Sequence, residues 1–183
     1  MSRPDPAVGA VRLHGHLAQP RELTVEQLRE LPAHRAEVSF DCRTSGPQHH
    51  AFEGPKLWDV LRAAGLHLVS ATRKGRLGHL ITITGTDGHF VLLSWAEIDP
   101  EFSGQQILLA TSIDSRPLDA AGPQLVVPTD VCGARYISGI TAVWVGPLQA
   151  WKPTAAVRGP GGPGQRARTQ SPHSAPALPG AAR

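Results

Sequence analysis

Cysteine, histidine and one arginine–tyrosine pair are the side chains through which this 183-residue chain could do chemistry. Its two cysteines, Cys42 and Cys132, stand 90 positions apart. Two cysteines cannot supply a four-thiolate zinc or iron–sulfur site, nor staple a disulfide scaffold. Cys42 follows the alternating run Ala36-Glu-Val-Ser-Phe40 after Asp41 and enters a Gly/Pro stretch, which reads as a strand-to-loop junction. A soft thiolate there suits a metal ion, and neighbouring Arg43 favours the thiolate anion. Buried apolar thiols, or a bridge between the two cysteines, account for the same residues.

The nine histidines are less pointed. His49 and His50 are adjacent, so on an extended segment they face opposite sides and cannot both grip one ion. His14-Gly-His16 places two imidazoles on one strand face, but no third ligand accompanies them in the sequence. His79 and His89 flank a hairpin and are expected to face each other across it. No nucleophile elbow supports a serine triad. Within Pro128–Gly139, Gly133 permits close backbone approach, and Arg135 offers a fork suited to phosphate or carboxylate. An internal pairing of Arg135 with Asp130 or another carboxylate fits equally well.

The elements that must position these groups read as an α+β arrangement over residues 8–150. Val8–His16 alternates as a strand. Thr24-Val-Glu-Gln27 is a capping box that opens a helix through Leu28 and Leu31, and Pro32 stops it. Over Gly54–Gly65, Leu57, Val60, Leu61 and Ala64 recur at helical spacing, with Gly65 as the stop. His79–Thr84 and His89–Ser94 form a hairpin closed by Gly85-Thr-Asp-Gly88. Further apolar runs at 107–111, 125–127 and 140–145 complete a strand-rich pattern without the regular alternation of a doubly wound parallel sheet.

Charge separates the chain into two parts. Residues 152–183 hold five basic side chains and no acid, whereas the first 151 residues carry 13 basic and 15 acidic ones. The basic pI therefore belongs to the tail, and nucleic-acid binding by the folded part is not expected. Residues 1–7 read as a flexible N-terminus, and the Gly/Pro/Arg-rich segment 151–183 as a disordered tail. No apolar run approaches the roughly 20 residues of a membrane helix, and no secretory signal is evident. The expected location is cytoplasmic.

Taken as a series, Phe52-Glu-Gly-Pro-Lys-Leu-Trp-Asp-Val-Leu-Arg-Ala-Ala-Gly65, Thr84-Gly-Thr-Asp-Gly-His-Phe-Val-Leu-Leu-Ser94, Ala96-Glu-Ile-Asp-Pro100, Gly122-Pro-Gln-Leu-Val-Val-Pro128 and Gly133-Ala-Arg-Tyr-Ile-Ser-Gly-Ile140 resemble the molybdopterin-binding domain of sulfite-oxidase-like oxidoreductases, in its short stand-alone bacterial form. The resemblance covers roughly residues 8–146. It implies a mixed, β-rich α+β fold, a molybdenum–molybdopterin cofactor with Cys42 as protein ligand to the metal, and pterin-phosphate contacts from Arg135, Tyr136 and Ser138. It further implies oxygen-atom transfer with a small-molecule substrate and an electron acceptor as partners. The sequence departs from the family at Gln124, where cofactor-binding members often have Arg, and in the roughly 40 residues before Cys42. These departures keep a second expectation open: a cofactor-free descendant acting as a small-ligand or protein-binding module.

Overall fold

The computed structural model describes residues 9–43, 45–66 and 72–151, so the expectations for the N-terminus and for residues 152–183 lie outside the described residues. Along the chain run β1 (Ala10–Gly15), β2 (Arg21–Thr24), α1 (Val25–Arg29), β3 (Ala33–Cys42), β4 (Gly46–Pro55), α2 (Leu57–Ala63), α3 (Arg73–Arg76), β5 (His79–Gly85), β6 (Phe90–Ser94), α4 (Trp95–Ile98), β7 (Leu108–Ala110), β8 (Ser112–Ile113), β9 (Arg116–Pro117), β10 (Gln124–Val126) and β11 (Ile140–Pro147). The result is the mixed, β-rich α+β fold expected.

Three sheets share the work. A five-stranded sheet has the order β2-β1-β11-β5-β6, a four-stranded sheet β3-β4-β8-β9, and β10 pairs with β7. Within the first, β11 runs parallel to β1 and antiparallel to β5. Alternation then sends Val11, Leu13, Ile81, Ile83, Val91, Leu93, Val143 and Val145 to one face, where α1, α2 and α4 cover them. The predicted stripe of α2 is fully buried there: Leu57, Val60, Leu61 and Ala64 are all 0% exposed. Removing each of the larger ones from water contributes about 1.5–3 kcal/mol. A smaller core of Val38, Phe52, Leu108, Ala110 and Val126 lies under the four-stranded sheet, with Phe40 and Tyr136 against it.

The capping box forms as read, with the Gln27 amide donating to Thr24 Oγ1 and the Thr24 amide to Gln27 Oε1. Two expectations are corrected. The Gly/Pro stretch after Cys42 is not a loop but β4, paired with β3 over ten residues from Ala33↔Pro55 to Cys42↔Gly46. Its prolines sit at or beside the strand ends, where a missing amide costs least. His79 and His89 do not face each other, because His79 opens β5 and pairs with Pro147, whereas His89 sits at the turn and its carbonyl accepts from the Gly85 amide. The hairpin's full length separates them.

Gly15 ends β1 with φ +100°, and a Cβ there would stand 2.1 Å from the Val145 carbonyl oxygen. Neither the dihedral nor the space admits a side chain, so the bend that closes β1 against β11 requires glycine. Gly15→Ala is expected to destabilise the domain by about 2–4 kcal/mol in chemical denaturation. A loss under about 0.5 kcal/mol would mean that the bend carries no such constraint.

Candidate functional site

The expected site residues meet where the tip of the β3–β4 hairpin abuts the segment that leads into β11. The Asp41 amide donates to the Val131 carbonyl at 2.9 Å, and Asp41 forms a parallel bridge with Cys132. Gly133 lies flush on Phe40, so close that a Cβ would be 2.8 Å from the ring. Tyr136 stacks on the same ring, with centroids 4.3 Å apart and planes 21° apart, and its hydroxyl donates to the Val127 carbonyl. The strand carrying Cys42 and the segment carrying Arg135 and Tyr136 are thereby one structural unit. Ser138 is exposed and stands apart from it, where the chain crosses the β5–β6 turn and the Thr86 amide donates to the Gly139 carbonyl.

Arg135 is committed inside the fold. Its Nε and Nη2 donate to the two oxygens of Asp130 at 2.7 and 2.5 Å, and its Nη1 donates to Glu97 Oε1 at 2.8 Å. The hydrogen bond to Asp130, joined by that to Glu97, holds the guanidinium protonated well above its ordinary range. Of the two pairings open in the sequence, the structure makes the internal one. Glu97 is shared: its other oxygen accepts from the Ser94 amide at 2.7 Å, completing a capping box at the start of α4. At neutral pH the trio carries one positive and two negative charges. Phe40 and Glu97 were not singled out in the sequence, although Ser94-Trp-Ala-Glu97 spells a capping box as plainly as Thr24–Gln27 does.

The cysteines are neighbours in backbone but not in direction. Neither is in a disulfide; Cys42 is half-buried and Cys132 exposed. Strand alternation sends Cys42 to the face opposite Asp41 and its bridge partner Cys132. His49 and His50 face opposite sides as expected, His49 bonded to Ser39 Oγ at 2.9 Å and His50 to Asp114 at 2.8 Å. Among the described residues no three His, Cys, Asp or Glu side chains converge as a metal cage. No described helix is long and apolar enough to cross a membrane.

Burial, with a smaller contribution from nearby Asp130, pushes the Tyr136 hydroxyl up to about 12 from its ordinary 10. Because the chain has a single tyrosine, the tyrosinate absorbance reports this residue alone. Its midpoint is expected near 12, and a midpoint near 10 would place the ring in solvent. The native state holds this proton longer than the unfolded chain. The linked stability is therefore intact below pH 10 and is lost as pH rises toward 12. Arg135→Ala strands two carboxylates and is expected to cost about 1–2 kcal/mol, or roughly 2–8 °C in Tm. An unchanged Tm would mean the trio is incidental to the fold.

No family model and no curated protein matches the chain. Among solved structures, the sulfane dehydrogenase SoxCD from Paracoccus pantotrophus aligns with a TM-score of 0.60 and 16% identity. The alignment covers 77% of this chain and 39% of that one, so the chain spans about two-fifths of its structural neighbour. The likeness is one of fold, and it is the sulfite-oxidase-like fold that the sequence resemblance implied.

Proposed function

We propose that this chain uses a sulfite-oxidase-type fold as a binding module rather than as a carrier of the molybdenum cofactor. One observation carries the reading: the Arg135 fork is already closed on Asp130 and Glu97. A molybdopterin phosphate needs free donors and positive potential. Here three guanidinium N–H groups are spent on carboxylates, the Tyr136 hydroxyl proton is spent on Val127, and the trio is net negative. One unit of excess negative charge about 4 Å from a singly charged phosphate costs roughly 4 kcal/mol at an effective dielectric of 20. The donor set does not fit the anionic cofactor.

The surface left for a partner is the rim of this corner. Val131 is 81% exposed and Cys132 is exposed, beside the hairpin tip. A neutral or basic small ligand or peptide suits that apolar, acid-backed rim better than an anion does. The second reading is the molybdenum–molybdopterin domain, with Cys42 on the metal, Arg135, Tyr136 and Ser138 toward the pterin, and a small-molecule substrate and electron acceptor. It draws support from the shared corner of Cys42 and residues 132–136.

Molybdenum and pterin content separates the two. The full chain should be produced in a host that makes the cofactor, purified without oxygen, and assayed by metal mass spectrometry and by fluorescence of the oxidised pterin. Neither is expected above background. A full complement of molybdenum on a folded chain would overturn the binding-module reading and make Cys42→Ser the next variant to examine.

A further inference from the structure

We propose that His16 and His79 form a two-imidazole site for a cuprous ion, remote from the corner described above and independent of its function. His79 is 2% exposed, and both of its ring nitrogens are buried without a hydrogen-bond partner among the described residues. The other buried nitrogens without partners, Arg21 Nε and Arg76 Nε, belong to guanidinium groups whose terminal nitrogens are bonded. Of these three described residues, only His79 has a side chain with no hydrogen-bond partner. A neutral imidazole carries one N–H and one lone pair, and a native interior rarely leaves both unmet.

A second imidazole lies beside it. The obligate glycine Gly15 bends the chain at the end of β1, and the His16 amide donates to the Val145 carbonyl at 2.7 Å. The following residues fold over the same end of the sheet, the Leu17 amide donating to the Gly15 carbonyl and the Ala18 amide to the Gly65 carbonyl. This sets the His16 ring 6.3 Å from the His79 ring, centroid to centroid, with planes 70° apart. The strand pairing also explains why His14 does not join them: it lies on the face that carries Arg12, opposite Leu13 and the core.

The separation selects the ion. With a metal–nitrogen bond of about 2 Å, and roughly 1 Å more to each ring centre, a near-linear N–metal–N unit sets the centroids roughly 6 Å apart, against about 5 Å for a tetrahedral angle. The observed 6.3 Å between centroids leaves the room that a near-linear unit needs, once a nitrogen of each ring is turned toward the other. Zinc wants four ligands, and no third His, Cys, Asp or Glu converges on the pair among the described residues. Monovalent copper is satisfied by two imidazoles in line and needs no coordinated water, which suits a ring as dry as His79. Binding requires no electron transfer, only that each ring present a lone pair.

The test uses the full chain carrying Cys42→Ser and Cys132→Ser, so that thiols do not compete for the ion. Anaerobic titration with Cu(I) held by a coloured chelator should show one equivalent withdrawn by the protein. His16→Ala and His79→Gln should each weaken that binding by at least about tenfold, while His34→Ala leaves it unchanged. Absence of withdrawal, or withdrawal undiminished in His16→Ala, would overturn the site. His16 is only half-buried, so its variant decides the matter even if His79→Gln does not fold.

Discussion

The fold hangs on the placement of its last strand. β11 enters the five-stranded sheet between β1 and β5, so a ladder of residues from Arg12↔Ala142 to Gly15↔Val145 joins the two ends of the domain. These contacts have long sequence separation, and their loop-closure entropy must be met before the sheet is complete. The segment that feeds β11 is drawn across the β3–β4 hairpin to reach its slot. The Asp41–Cys132 bridge, the Tyr136–Phe40 stack and the Arg135 trio all lie on that crossing. The candidate site is thus a by-product of how the sheet closes.

That origin explains why the site is rich in groups that hold the chain and poor in groups left to act. Asp130 and Arg135 are five residues apart and clamp the turn around Gly133. Glu97 ties that turn to the start of α4, and through the capping box to β6. Each polar group serves the crossing. In an anion site the guanidinium would be held from behind by carbonyls or a single acid and would present its free edge outward. Here a second carboxylate takes one N–H more and turns the local potential negative.

Local signals were legible wherever the interaction is local. The Thr24–Gln27 box, the α2 stripe and the β5–β6 turn each depend on residues within about a turn or two of one another, and each stands as read. β4 was missed because prolines and glycines near its ends speak for a loop, while its ladder to β3 is visible only once register is known. The Arg135 partnership was readable as a class, a carboxylate nearby, but not as a number. Asp130 is close in sequence, whereas Glu97 is 38 residues away and arrives only through the sheet. The pair His16 and His79 is more distant still, and nothing in either segment announces the other.

The contrast between satisfied and unsatisfied buried groups separates what maintains this fold from what it could receive. Asp99, 1% exposed, accepts from Arg76 Nη1, Trp95 Nε1 and the Glu101 amide. A carboxylate buried that deeply persists only with such a full complement, and removing one partner would leave an uncompensated charge. Arg135 is likewise held by carboxylates, and a ligand drawing on the three N–H groups so engaged would have to break contacts that already stabilise the domain. His79 belongs to the other class. Its ring nitrogens are excluded from water and matched by nothing among the described residues, so a group that fills that role breaks no hydrogen bond of the ring. By that reasoning, the interior of this domain offers more to an incoming partner at the end of β1 than at the arginine corner.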